Sequence, residues 1–171
     1  NDEPSLALEI YNELLEMVDE EKYTEESEEI QQGMKQERLA TWRSRGDAYL
    51  SLGKHKEAIE DYSRVLEIQQ EMQEMAEQED EEAIPDDEHT LNNLAWVLST
   101  STIDELRDGK RAVELATKAA EATEFNEAFI LSTLAAAHAE SGDFENAIKW
   151  IDKAIEVNAK DRGSDTALIL A

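Results

Sequence analysis

Three histidines, His55, His89 and His138, are the side chains of this 171-residue sequence best suited to acid–base or metal chemistry near neutral pH. They stand far apart, and none forms the His-Glu-x-x-His pattern that sets two zinc ligands one helical turn apart. There is no cysteine, which excludes a thiol nucleophile, a thiolate zinc site and a disulfide framework. No glycine-rich phosphate loop and no Gly-x-Ser-x-Gly elbow occurs. Carboxylates are plentiful, but an acid–base pair needs a pocket that pushes two pKa values apart, and glutamates on a charged surface supply none. Asp86, Asp87, Glu88 and His89 could hold calcium or magnesium through oxygen ligands. That run lacks the spaced ligands, turn glycine and terminal glutamate of a calcium loop, and reads first as a solvated linker. The expectation is a protein that is not an enzyme and uses no cofactor and no resident metal.

Charge narrows the partners. The chain carries 42 Asp and Glu against 16 Lys and Arg, a formal charge of −26. Nucleic-acid affinity comes from neutralising phosphates with basic side chains, so DNA and RNA are excluded as direct ligands. An anionic membrane surface is disfavoured by the same sign, and no apolar run reaches the length of a membrane span. The acid is unevenly spread. Residues 1–37 hold 13 acids and 2 bases, and residues 69–90 hold 10 acids and no Lys or Arg. Both stretches read as solvated helix face and loop, with recruitment of a basic partner as the sharper alternative. Absence of cysteine fits the cytoplasm. The sequence starts at Asn1, so a cut or processed chain is expected, and a targeting segment could have been lost.

Whatever these side chains do, helices must position them. Only 6 Gly and 2 Pro interrupt the chain, and Ala, Leu, Glu, Lys and Gln fill long stretches. Apolar residues recur at three and four positions: Leu6, Ile10, Leu14 and Met17; Ile59, Tyr62 and Leu66; Ile148, Ile151 and Ile155. Each set predicts one buried stripe on a helix. Gly53 and Gly142 can take the left-handed conformation that closes a helix, with Asp143 placed to cap the next. Asp108-Gly109 separates a further pair, Pro4 opens the first helix, and Pro85 sits in an acidic linker. With no proline near Gln70, the helix after Ala58 is expected to run on through about Glu74.

The helical segments repeat. Leu39–Gln70 places Trp42, Gly46 and Tyr49 before Gly53, then Ala58, Tyr62 and Val65. Ala128–Ala159 places Leu131, Ala135 and His138 before Gly142, then Ala147, Ile151 and Ala154. Gly46 to Ala58 and Ala135 to Ala147 are each twelve apart. A third copy over His89–Asn126 has Leu91, Ala95 and Leu98, then Ala112, Ala116 and Ala119, with a longer turn around Ser99–Asp108. Small residues at the Gly46, Ala58, Ala95, Ala112, Ala135 and Ala147 positions let two helices close up. Trp42, Tyr62, Leu91, Leu131 and Ile151 are expected to fill the space between pairs.

These units resemble the tetratricopeptide repeat, a helix–turn–helix module of about 34 residues. Trp42-Arg43-Ser44-Arg45-Gly46-Asp47-Ala48-Tyr49 matches its aromatic, small and aromatic positions, with Arg45 where leucine is usual. Asn92-Asn93-Leu94-Ala95-Trp96 followed by Arg107-Asp108-Gly109-Lys110 resembles paired repeats in bacterial members. The resemblance implies an all-α, right-handed α-solenoid of stacked antiparallel helix pairs. It would comprise an N-terminal helix and acidic extension over 1–38, a remnant of a preceding repeat. Repeats would follow over 39–88, 89–127 and 128–161, and residues 162–171 would start a capping helix or tail.

The resemblance also implies a non-catalytic scaffold whose first helices line a concave groove for another protein's peptide. Carried over onto this chain, the groove residues are Arg43, Ser44 and Asp47; His89, Asn92, Asn93 and Trp96; and Phe129, Ser132 and Thr133. Asparagine can donate to and accept from a peptide backbone together, and Trp96 and Phe129 offer rigid apolar area. Only Arg43 and Asn93 fall where some members clamp a chaperone's terminal carboxylate, so an extended or helical segment, basic or neutral, is the expected ligand. Two alternatives stand beside this reading: a module that self-associates as a homodimer, and an acidic divalent-cation-binding protein.

Overall fold

A computed structural model describes residues 3–18, 28–78, 85 and 87–169. Among them are seven α-helices and no strand: α1 Glu3–Met17, α2 Glu28–Ser51, α3 His55–Gln78, α4 Glu88–Thr100, α5 Gly109–Ala122, α6 Ala128–Glu140 and α7 Phe144–Ile169. The chain forms two units, Asn1–Ile84 and Pro85–Ala171. In the first, α2 packs between α1 and α3; in the second, α4 pairs with α5 and α6 with α7, while α6 also packs on α4 and α5. This is helix-pair stacking of the solenoid type, and it makes the chain all-α.

Helix ends follow the sequence closely. Gly53 and Gly142 have φ of +69° and +85°. In both turns the third amide beyond the helix reaches back five residues, Lys54 N–H to the Tyr49 carbonyl and Asp143 N–H to the His138 carbonyl, each at 2.9 Å. The α5–α6 turn makes the same closure without glycine: Glu124 and Phe125 hold positive φ, and Phe125 N–H donates to the Ala120 carbonyl at 2.7 Å. Stacking of Phe125 on Trp150 of α7, ring centres 5.3 Å apart, favours that conformation against its steric cost. Asp87, Asp108 and Asp143 cap α4, α5 and α7, accepting from the amides of Thr90, Arg111 and Asn146.

Small residues let the pairs close. Ala58, Ala95 and Ala112 are fully buried, and a Cβ on Gly46 would meet the buried Tyr62 ring at 2.7 Å. Larger side chains fill the gaps between helices: Leu94, Ile130, Leu131 and Leu134 in the second unit, and Leu39, Val65, Ile68 and Met72 with Trp42 in the first. Ala112→Leu should therefore overpack the α4–α5 contact and cost about 1–3 kcal/mol, read as a lower thermal midpoint. An unchanged midpoint would contradict the register.

Four expectations need correction. The stripe Leu6, Ile10 and Met17 is exposed, and Leu8 is the residue α1 buries. Ile148, Ile151 and Ile155 are likewise exposed, so Ile151 does not fill a gap between pairs; α7 instead buries Ala154 and Val157. Periodicity shows that a stripe exists, but these helices turn another face to their neighbours. Helix α2 begins at Glu28, so a boundary at residue 38 falls inside one continuous helix. Nor does a new helix start at residue 162, because α7 continues to Ile169 with no breaker strong enough to end it.

Candidate functional site

The ten residues expected in a groove divide between the two units. Arg43, Ser44 and Asp47 lie along α2 of the first. Asp47 already has an internal role, since its carboxylate accepts the Tyr62 hydroxyl at 2.6 Å. Arg43 and Ser44 are half-buried.

The second unit gathers the rest onto adjoining first helices, α4 and α6. His89 on α4 stacks on Phe129 of α6, ring centres 6.2 Å apart and planes within 12° of parallel. Asn93 and Trp96 follow His89 at spacings of four and three, which puts all three on one face of α4. Trp96 and Phe129 remain 43% and 47% exposed, so neither is consumed as core. Neighbouring Asn92 is only 7% exposed; its amide donates to Asn93 Oδ1 at 3.2 Å, and its own Oδ1 is buried with no hydrogen-bond partner. A buried amide oxygen left unpaired costs about 1–3 kcal/mol.

Two members of the set are less available. Thr133 is 3% exposed, and its hydroxyl donates to the Phe129 carbonyl at 3.2 Å. It is a packing residue on the side of α6 facing its neighbours, not a contact residue. The Ser132 hydroxyl donates to the Ala128 carbonyl at 2.9 Å, but the residue lines an open cleft with Phe129.

Among the described residues, the other two histidines stand apart from this face. His55 opens α3. His138 sits 3.3 Å from Asp143, and that carboxyl is held below the usual carboxylate range chiefly by the Asn146 side chain, which donates to it at 2.7 Å. This is a helix cap. Among the described residues no group of three or more potential ligands gathers for a metal ion; Asp86, from the acidic run, lies outside them. Much of the acidic charge in 19–27 and 79–84 also lies outside the described residues.

Comparisons with known proteins bear on the fold. Tetratricopeptide-repeat family models match residues 40–72 and residues 130–161. The chain carries tetratricopeptide repeats. The crystal structure of MamA is similar to it in fold, with a TM-score of 0.51 at 13% identity over 91% of this chain and 89% of that one. No curated protein sequence matches it. Tetratricopeptide-repeat proteins bind other proteins, and the family is generally a non-catalytic scaffold. No helix among the described residues is long and apolar enough to cross a membrane.

Sequence reasoning missed one structural residue inside the repeat motif. Arg45, standing where leucine is usual, makes a two-pronged ion pair with Asp61 of α3 at 2.8 and 2.7 Å, and its third nitrogen donates to Asn12 of α1 at 2.7 Å. Asp61 is 5% exposed. The departure from the motif was itself the available signal, because a buried arginine requires an acid to face it.

Proposed function

We propose that this chain is a non-catalytic interaction module whose second unit binds a segment of a partner protein across the α4/α6 face. His89, Asn93, Trp96 and Phe129 form its contact row, with Ser132 at the edge. Arg43 and Ser44 form a separate contact patch on the first unit. The observation that carries the reading is the pair of half-exposed aromatics, Trp96 and Phe129, on adjoining first helices. Aromatic anchors are where binding energy concentrates. With a net charge of −26, a basic or neutral segment is favoured over an acidic one. The lack of cysteine fits action in the cytoplasm.

Affinity capture followed by titration of the recovered segment tests this. The double variant Trp96→Ala, Asn93→Ala should weaken binding by about 2 kcal/mol or more, some thirtyfold, without lowering the melting temperature appreciably. A partner held equally tightly by the double variant and the parent chain removes this site.

A further inference from the structure

The second unit has another unpartnered surface, on α7. Ile148, Ile151 and Ile155 are 62%, 40% and 62% exposed, and Phe144 one turn before them is exposed as well. Spacings of four, three and four set all four on one face of the helix. Against this stripe lies a cleft of about 290 Å³, lined by Ala128, Phe129 and Ser132 of α6 with Ile151, Ile155 and Asn158 of α7. A stripe with a pocket at its side has the form of a seat for the apolar face of a helix whose largest side chain enters the cleft.

Charge decides the occupant. Glu145, Asp152 and Glu156 each follow a stripe residue directly, about 100° further round the helix, and form an acidic row along its edge. Exposed Glu127 precedes α6 two residues before Phe129. Lys149 follows Ile148 at the same edge but lies over the Trp150 ring at 4.9 Å, and Lys153 pairs with Glu156 at 3.8 Å, which leaves Glu145 and Asp152 to set the charge of that edge. A second copy is the poorer fit. Packing α7 on α7 brings two acidic rows together, and the other exposed stripe, Leu6, Ile10 and Met17 on α1, carries Glu9, Glu13 and Glu16. We propose that the α6–α7 face docks an amphipathic helix of a different protein, with an apolar stripe flanked by lysine or arginine. The surface shares Phe129 and Ser132 with the α4/α6 face, but its α7 stripe is separate, and it stands or falls on its own.

The probes are three labelled peptides titrated against the full chain. One carries leucines at helical spacing with flanking lysines; the second has glutamates in place of the lysines; the third is a scramble of the first, with equal charge and no stripe. The first should bind saturably, one per chain, and at least about tenfold more tightly than the other two, since burying each isoleucine contributes on that order. Ile151→Ser, Ile155→Ser should remove that preference, as should the gentler Ile148→Ser in part. Glu145→Lys, Asp152→Lys should reverse the choice between lysine- and glutamate-flanked peptides. Trp96→Ala, Asn93→Ala should leave all three affinities within about twofold, because those residues lie on the other face. Equal binding of the scrambled peptide, or indifference to the α7 variants while circular dichroism shows them folded, overturns the proposal. So does a concentration-dependent dimer by light scattering that Ile151→Ser, Ile155→Ser abolishes, which would give the face to a second copy.

Discussion

Arg45→Leu, which restores the residue usual in the repeat, destabilises the first unit by about 3–5 kcal/mol. On motif grounds the substitution should be neutral or helpful. The structure reverses the sign. Asp61 is buried, and both its oxygens accept from Arg45, at 2.8 and 2.7 Å. Deleting the guanidinium strands a carboxylate in a site that water reaches poorly, and that desolvation cost exceeds whatever a leucine gains by burying its methyl groups. The bond from Arg45 to Asn12, which ties α2 to α1, is lost with it. Replacing both partners, Arg45→Leu with Asp61→Leu, removes the stranded charge and should recover most of the loss. Urea denaturation of the parent, both single variants and the double gives the coupling directly. Additive single effects, with no recovery in the double, would show that the pair is not what holds α2 against α3.

Gly109→Ala lowers stability by about 1–3 kcal/mol even though alanine is the better helix former by about 1 kcal/mol. A Cβ at this first position of α5 would lie 2.5 Å from the Ser141 amide nitrogen, 2.7 Å from the Glu140 carbonyl carbon and 2.8 Å from the Ser141 Cα. All three are backbone atoms at the end of α6, so no rotamer change relieves the contact. The neighbouring Arg107 fixes the same junction, donating to Glu140 at 3.0 Å and to the Ser101 carbonyl at 2.9 Å, which holds the long α4–α5 turn against α6. Gly33, inside α2 with nothing within 4 Å of a Cβ, is the internal control: Gly33→Ala should stabilise by about 0.5–1 kcal/mol. Opposite shifts in thermal midpoint for the two alanines are the expected result. A rise for both would mean that α5 and α6 do not approach as described.

Gly109 illustrates how a residue can be picked out for the wrong reason. Asp108-Gly109 reads as punctuation, and Asp108 does cap α5. The glycine, however, sits inside the helix, and what it provides is clearance for a neighbouring chain segment. Gly53 and Gly142 were legible in full, because closing a helix in the left-handed conformation is a local event. Asn92 and Asn93 show the same division. Their adjacency to Trp96 is plain in the sequence, yet only packing against the rest of the unit buries Asn92 and leaves its oxygen unpaired. Thr133 was misjudged because its spacing from Phe129 cannot show which side of α6 faces α4.

By itself the sequence determined the helices, most of their ends, the repeat register and the small residues where pairs close. Each of these depends on interactions within a few residues or on a period, and both are written along the chain. The tertiary structure alone decided which side of each amphipathic helix is covered, which acid faces Arg45, and why Gly109 must lack a side chain. Those outcomes depend on atoms from segments distant in sequence. The apolar stripe of α7 shows this most clearly: its spacing matches that of a buried face, and only the placement of α6 beside Ala154 and Val157 leaves Ile148, Ile151 and Ile155 open to a partner.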